Sequence, residues 1–337
     1  MYTLLFALAA VVITTKLFGE LARRFGQPSV LGELLAGVLL GGGAIGLLDP
    51  HDPAMRALGD LGLFVLVFQI GVHTDVRALR RLGSTAASVA AVGVILPFAG
   101  GFFVARALGA SAVACVIAGA ALTATSKAIA ARLLSELGVQ QTNEGQVTIG
   151  AALAGDIVGL IVIAVIAAMA SAHSPSAGGA ARVAMITAAF IAVVFAAGRY
   201  AIPPLFRVLD RIRAKGSLGL FGLSFGLLLA AIAMASGTAM IVGAFVAGAI
   251  LHSTPQRHEI ERTTAQIGHF LIPVFFAVVG ASVDLPALMN GPALALAGAL
   301  TAVAIAGKMI AGYSALNFTG NRALVGAAMI PRGEVGL

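Results

Sequence analysis

The stretch that decides the fold reads Ala151-Ala152-Leu153-Ala154-Gly155-Asp156-Ile157-Val158-Gly159-Leu160-Ile161. It lies inside one apolar run from Asn143 to Ala170, and a helix of about 20 apolar residues crosses a bilayer. Asp156 follows the start of this run by about 13 residues, roughly 20 Å at 1.5 Å per residue. An ionised Asp at the centre of a membrane helix costs about 2.5–3.5 kcal/mol. We therefore expect another part of the chain to compensate this charge.

The composition is that of a membrane protein. Of the 337 residues, 59% are hydrophobic and 10% charged, whereas a soluble domain carries about 25% charged residues. The mean hydropathy is +1.01. The basic residues behind the net charge of +7 fall in short loops between apolar runs. This pattern favours an anionic membrane surface over a nucleic acid as the partner. The single Cys115 excludes an internal disulfide and a cysteine-rich metal site.

The apolar runs predict twelve membrane helices. Their approximate bounds are Tyr2–Arg23, Ser29–Gly43, Ala57–Val72, Thr85–Leu108, Ser111–Leu137, Asn143–Ala170, Arg182–Phe206, Ser217–Ser236, Thr238–His252, Thr263–Leu285, Pro292–Phe318 and Asn321–Leu337. The loops after odd-numbered helices hold fourteen basic residues, and the loops after even-numbered helices hold three. Because positively charged loops stay in the cytoplasm, this count predicts that the N-terminus lies outside.

The sequence contains a repeat. Three pairs of segments match in the same order, namely residues 30–40 with 241–251, 71–79 with 280–288 and, more weakly, 121–126 with 327–332. The two units begin at the second and ninth helices, which enter the membrane from opposite sides. Inverted repeats are typical of secondary transporters, whose sites lie near the midplane where broken helices meet. The second unit stops at Leu337, partway through the partner of the fifth helix, so we expect a truncated chain and a further helix beyond it.

Two charged residues are expected at similar membrane depth. Asp156 lies on the sixth helix and Lys308 on the eleventh, about nine or ten residues from its inner end. A pair between them would lower the cost of burying both charges. Such a pair could be a structural ion pair only, or part of a site that binds a proton or a cation.

Hydroxyl residues are expected to interrupt the fifth helix. The segment 123–127 reads Thr-Ala-Thr-Ser-Lys, and its hydroxyl and carbonyl groups are suited to ligating a hard cation. We therefore name Thr125 and Ser126 as candidate ligands. Their hydroxyls could instead bond back to their own helix. Lys127 could lie at the break or extend toward the membrane surface.

A second interruption is expected in the twelfth helix. Pro331 and Gly333 should break this helix, and the repeat makes the segment a counterpart of the first break. Two broken helices would then cross near Asp156. Arg332 and Glu334 favour a bracing role over substrate binding.

Other ionisable residues are not assigned a role. The six histidines show no spacing typical of metal ligands. Glu33 falls near a helix start, where a carboxylate suits the helix dipole.

Taken together, these segments resemble the monovalent cation:proton antiporter-2 family and its sodium/proton exchanger domain. The resemblance covers essentially the whole chain and rests on Gln27–Gly37, the Gly155-Asp156 pair, Pro273–Phe276 with Gly280, Lys308, and Pro331–Leu337. It implies an all-α polytopic membrane protein with an inverted-repeat sodium/proton antiporter fold. Two broken helices would cross at midplane, with about twelve helices present of an expected thirteen.

The resemblance also implies different roles for different segments of the chain. Residues 1–81 and 217–290 would form a panel that makes a homodimer. Residues 84–171 and 291–337 would form the core that carries the ion, and residues 182–215 would be a linker. The expected partners are the lipid bilayer, in a bacterial cytoplasmic membrane, and a second copy of the chain. No cofactor is expected besides the transported ions.

The function implied is exchange of a monovalent cation, Na⁺ in the first place, for H⁺ by alternating access. Asp156, supported by Lys308, would bind either ion. A K⁺/H⁺ antiporter, a ligand-gated K⁺ efflux system and a non-transporting membrane sensor are the alternatives. An enzyme is disfavoured because no His/Glu metal pair or Ser–His set falls at depth. Gly155 stands where many electrogenic members carry a first aspartate, whereas Lys308 resembles that group, so the stoichiometry stays open.

Overall fold

The chain is all-helical wherever the structure describes it. The computed structural model describes residues 2–42, 45–74, 83–125, 130, 134, 138–139, 142–171, 177–209, 217–283 and 291–331. The helices in these ranges are α1 (Tyr2–Arg24), α2 (Ser29–Leu40), α3 (Pro53–Val72), α4 (Gly83–Ala107), α5 (Ala112–Ala121), α6 (Asn143–Ser171), α7 (Ala177–Leu209), α8 (Ser217–Ala235), α9 (Met240–Leu251), α10 (Arg257–Ala281), α11 (Gly291–Tyr313) and α12 (Arg322–Ala328). Within those ranges, seven helices are long and apolar enough to cross a bilayer. The described residues contain twelve helices, which agrees with the prediction.

Three helices begin four or more residues earlier than the apolar pattern predicts, and one of them is α7, which starts at Ala177 rather than Arg182. α3 starts at Pro53 rather than Ala57, because the Asp52 carboxylate accepts hydrogen bonds from the backbone N–H groups of Ala54 and Met55 at 2.9 and 3.0 Å. An acidic N-cap followed by proline at the first helical position is a strong start signal. α10 starts at Arg257 rather than Thr263, with a polar first turn. Such turns extend beyond the membrane-apolar run, and hydropathy alone does not find them.

The chain divides into two compact units. Unit 1 comprises Met1–Thr74, Ala189–Ser236 and Met240–Met289. Unit 2 comprises Asp75–Ala188, Gly237–Ala239 and Asn290–Leu337. The roles expected for panel, core and linker stay predictions.

Unit 1 shows the repeat in its helix crossings. α2 crosses α10 where Gly37 meets Gly280, and α9 crosses α3 where Gly248 meets Gly71. The sequence match pairs Gly37 with Gly248 and Gly280 with Gly71, so the two crossings are equivalent. A Cβ on Gly280 would lie 3.1 Å from the Cα of Gly37, and a Cβ on Gly71 would lie 3.1 Å from the Cα of Gly248. Only glycine allows backbones to approach this closely, which explains why these positions match between the repeats.

Unit 2 is held together by a small apolar cluster. α4 packs on α5, α6 and α11, and α12 packs on α6 and α11. The cluster draws buried residues from α4, α6, α11 and α12 and from the turns that follow α11 and α12, namely Val89, Ala90, Ala151, Ala311, Ala315, Val325 and Met329. Because most of these side chains are small, the helix axes lie close enough for a long side chain on one helix to reach the backbone of another.

Candidate functional site

The fifth helix is interrupted where the hydroxyl residues predict. α5 ends at Ala121, and the residues from Leu122 to Thr125 are not helical. The Thr123 hydroxyl donates back to the Ala120 carbonyl at 2.7 Å. Thr125 is 4% exposed, and its hydroxyl makes no hydrogen bond to any part of the chain that the structure describes. Its alternative role of bonding back to its own helix is therefore not observed. Ser126 lies outside the described residues.

The twelfth helix ends in the same way. α12 stops at Ala328, before Pro331, because proline disfavours helical conformation in the residue that precedes it. The N–H groups of Leu122 and Met329 each bond to carbonyls two and three residues back, with φ, ψ of −81°, −7° and −91°, −6°. Pro331 is half-buried. Arg332, Gly333 and Glu334 lie outside the described residues, so their predicted support of the break stays a prediction.

Lys308 is a buried charged residue of unit 2 whose ammonium is held by hydrogen bonds to the backbone. Its side chain is 1% exposed. The ammonium donates to the Gly93 carbonyl of α4 and to the Thr123 carbonyl at the end of α5, each at 2.8 Å. A buried ammonium is stable only when its protons are bonded in this way.

Local sequence explains why these two carbonyls are open to Lys308. Pro97 lies inside α4 and has no N–H, so it removes the helical donor of the Gly93 carbonyl four residues before it. Thr123 follows the end of α5, where the last carbonyls of a helix have no helical donor. A Cβ at Gly93 would be in tight contact with the Met329 side chain at 3.3 Å but only in ordinary contact with the Lys308 nitrogen at 3.9 Å, so the glycine makes room for Met329 rather than for the ammonium.

Gly93 and Pro97 were not predicted as site residues. Both are uncharged, and a search for polar groups at membrane depth passes over them. The signal that could have found them is a glycine four residues before a proline within an apolar helix, since this spacing frees a carbonyl that has no side chain above it.

Asp156 lies on α6, but its side chain is outside what the structure describes. Ala151 of α6 and Ala311 of α11 belong to one buried cluster. Along the axes, Asp156 follows Ala151 by about 7.5 Å and Lys308 precedes Ala311 by about 4.5 Å. The pairing of Asp156 with Lys308 stays a prediction. At the neighbouring Gly155, a Cβ would meet no heavy atom of the described part of the chain within 4 Å.

Glu33 lies on α2, which begins at Ser29 as the sequence predicts and has no acidic residue in its first turn. Glu33 lies one turn further on and is only 9% exposed, so the helix dipole does not account for it. Among the histidines, the His252 Nδ1 lies 2.8 Å from the Val72 carbonyl. In the described ranges, no group of three or more His, Cys, Asp or Glu side chains could hold a metal ion.

Comparison with known proteins agrees with this architecture. A family model described as "Sodium/hydrogen exchanger, transmembrane" matches residues 7–337. The high-affinity Na⁺/H⁺ antiporter NhaS3 of Synechocystis is 33% identical, with 99% of this chain and 81% of that protein covered. The Na⁺/H⁺-K⁺ antiporter GerN of Bacillus cereus is 32% identical, with 98% and 86% covered.

A solved structure shares the fold. The sodium proton antiporter MjNhaP1 of Methanocaldococcus jannaschii superposes with a TM-score of 0.71 at 17% identity, over 97% of this chain and 85% of that one. The predicted inverted-repeat antiporter fold is confirmed. The match over nearly all residues, the glycine crossings and the broken helices lead to one conclusion: this chain belongs to the family of transmembrane sodium/hydrogen exchangers.

Proposed function

We propose that the protein exchanges Na⁺ for H⁺ across the membrane, with Asp156 as the shared binding group. The family and its antiporter members support secondary exchange. The observation that carries the site is the buried Lys308 ammonium, bonded to carbonyls at a proline-modified helix and at a helix break. Such an arrangement fixes one positive charge at depth, and a carboxylate nearby is the group that it would balance.

The exchange needs no covalent chemistry. A proton and a cation each neutralise Asp156, and neither can bind while the other is present. When the carboxylate is ionised and empty, Lys308 partners it. When the carboxylate is neutralised, the ion-carrying part of the protein moves and exposes the site on the other side. The competition for one carboxylate thus couples the two fluxes.

The helix breaks supply further oxygen ligands. α5 and α12 both end at their breaks, and the carboxyl end of a helix carries partial negative charge. Broken helices in transporters use such ends to coordinate Na⁺. The Thr125 hydroxyl, which makes no hydrogen bond to the described chain, is a ligand of the type that hard cations prefer. Ser126 is proposed beside it from the sequence.

K⁺ is the second candidate ion. The name of the relative GerN includes both Na⁺ and K⁺, and oxygen ligands bind either ion. A comparison of Na⁺, K⁺ and Li⁺ in one assay decides between them. It also tests the sensor alternative, because a sensor moves none of them.

The experiment replaces Asp156 in the intact protein. Proteoliposomes with an imposed pH gradient are given Na⁺, and the change in internal pH is recorded. Asp156→Asn should abolish the cation-dependent change, whereas Asp60→Asn, at an exposed carboxylate of α3, should leave it intact. Full exchange by Asp156→Asn would rule out the shared carboxylate.

Assembly and orientation belong to the same proposal. We expect a homodimer formed through unit 1, in a bacterial cytoplasmic membrane, with the N-terminus outside and no enzymatic reaction. The charge count of the loops supports the orientation. Accessibility of single cysteines placed in the loop after α2 and in the loop after α9, to a reagent that cannot cross the membrane, tests it.

A further inference from the structure

Unit 1 contains a polar cavity that the exchange does not use. Its volume is about 560 Å³, within the range typical of small-molecule sites. α1 contributes Lys16 and Arg23 to its walls, α2 contributes Glu33, α3 contributes Gln69 and α10 contributes His269. Both charge signs therefore face one space between four apolar helices.

Glu33 is the unexplained group in this cavity. The residue is 9% exposed and lines the cavity. It makes no hydrogen bond or ion pair with any residue that the structure describes. Its carboxylate oxygens are reached from the cavity rather than sealed inside the protein, so a group that supplies hydrogen-bond donors in the cavity would bond to them.

The basic side chains act on Glu33 from a distance. Lys16 and Arg23 are the two cations whose charges influence it, but neither lies within 4.0 Å of its carboxylate oxygens. Arg23 is engaged elsewhere, with its guanidinium 2.7 Å from the Glu20 carboxylate. Lys16 is exposed and makes no ion pair in the described part of the chain. The cavity thus offers a free cationic group and a free anionic group that do not neutralise each other.

Charge excludes simple ions as the occupant. A lone metal cation at Glu33 would face Lys16 and Arg23, and a lone anion at Lys16 would face the buried Glu33 carboxylate. A zwitterion with a primary ammonium and a phosphate satisfies both. An ammonium donates three hydrogen bonds. Pro273 supports this choice, because it lines the cavity and removes the helical donor of the His269 carbonyl four residues before it.

The order of the charges along α1 matches a lipid headgroup. Gly19 lies beside Glu33, since a Cβ there would be 3.7 Å from the Glu33 Cγ. Measured from that level, Lys16 is about 4.5 Å further from the Arg24 end of α1, and Arg23 is about 6 Å nearer to it. In an aminophospholipid the phosphate lies nearer the acyl chains and the ammonium nearer water. The exposed Ile13, one turn from Lys16 on the side away from Arg24, provides an apolar surface for the chains.

We propose that this cavity binds the phosphoethanolamine headgroup of a membrane lipid, with its ammonium on Glu33 and its phosphate on Lys16. The site lies wholly within unit 1 and is separate from Lys308 and Asp156. The headgroup would join α1, α2 and α10, so that its binding stabilises unit 1.

The test measures binding of defined lipids to the delipidated intact protein by native mass spectrometry and by thermal unfolding. Phosphatidylethanolamine, phosphatidylcholine and phosphatidylglycerol with the same acyl chains are compared. We expect phosphatidylethanolamine to bind about tenfold tighter than the other two. The quaternary ammonium of phosphatidylcholine has no N–H to donate to Glu33, and phosphatidylglycerol has no ammonium. Soluble glycerophosphoethanolamine shows whether the chains are needed, because equal stabilisation by it would assign the site to a free zwitterion of the same chemistry.

Variants connect the preference to the site. Glu33→Gln should remove the preference for phosphatidylethanolamine, and Lys16→Gln should weaken the binding of all three phospholipids at this site. Glu259→Gln, an exposed carboxylate at the start of α10, should behave as the unmodified protein. Lys16→Gln changes an exposed residue and keeps the test open if Glu33→Gln does not fold. Equal binding of the three lipids, or a preference that survives both variants, would overturn the proposal.

Discussion

Two buried charged residues, one in each unit, differ in whether the protein itself supplies their hydrogen-bond partners. Lys308 in unit 2 is 1% exposed and donates to two backbone carbonyls. Glu33 in unit 1 is 9% exposed, faces a cavity and has no partner in the described chain. A charge that the protein's own backbone satisfies is built into the fold. A charge left without a partner points to something that arrives from outside, such as a proton or a ligand.

The largest expected effect follows removal of Lys308. Lys308→Met keeps the length of the side chain but leaves the Gly93 and Thr123 carbonyls without their donor. We expect a loss of stability on the order of 3 kcal/mol, seen as a lower unfolding temperature in detergent. Lys16→Met is the matched control when both variants are delipidated, because Lys16 has no hydrogen bond to the described chain to lose. Equal stability of the two variants would show that the backbone contacts of Lys308 contribute nothing.

Replacement of Glu33 should have the opposite effect on stability. Glu33→Gln removes a buried charge and no protein hydrogen bond, so the delipidated protein should unfold at the same temperature or a higher one. Unmodified protein and variant are compared in the same detergent after lipid removal. A clear loss of stability would mean that Glu33 has a protein partner, and the contrast with Lys308 would disappear.

A smaller effect should follow from Pro97. Pro97→Ala restores an N–H that competes with Lys308 for the Gly93 carbonyl. We expect exchange to be about tenfold slower, since one hydrogen bond to a charged group contributes about 1.5 kcal/mol. The initial rate in proteoliposomes measures this effect. Pro53→Ala should not change the rate, because a proline at the first position of a helix removes no helical hydrogen bond. Equal exchange rates for the two variants would show that Pro97 does not affect exchange.

The smallest effect on folding is expected at Gly155. Among the described residues, no heavy atom lies within 4 Å of a Cβ at this position, so Gly155→Asp should fold normally and give the helix two adjacent carboxylates. If each carboxylate binds a proton, exchange by the variant should respond to membrane voltage more strongly than exchange by the unmodified protein. Gly37→Ala, which places a Cβ against the Ala277 backbone, should in contrast destabilise unit 1. An unchanged voltage response in a folded Gly155→Asp protein would contradict this role of the second carboxylate.

The sequence predicts the helices and the repeat of this protein better than it predicts the contacts between residues. The repeat is readable because close helix crossings require glycine, and Gly37, Gly71, Gly248 and Gly280 recur at equivalent places. The break in α5 is readable because hydroxyl residues cluster there. The start of α10 at Arg257 was missed because a polar first turn lies outside the apolar run.

The missed contacts involve backbone groups. Lys308 was recognised as a buried charge, but its bonds to the Gly93 and Thr123 carbonyls depend on how three helices pack, and no side-chain pattern encodes that. Glu33 receives no role from the sequence beyond its place near a helix start, because a cavity among α1, α2, α3 and α10 exists only once those helices are assembled.

The most direct test of a shared carboxylate is the Michaelis constant for Na⁺ measured against pH. The initial exchange rate in proteoliposomes is recorded over a series of Na⁺ concentrations at each pH. If Asp156 binds either ion, protons compete with Na⁺ for it. At acidic pH, the Michaelis constant for Na⁺ should then rise about tenfold for each unit by which the pH falls, while the maximal rate stays constant. A Michaelis constant that does not change with pH, together with a falling maximal rate, would contradict competition at one site.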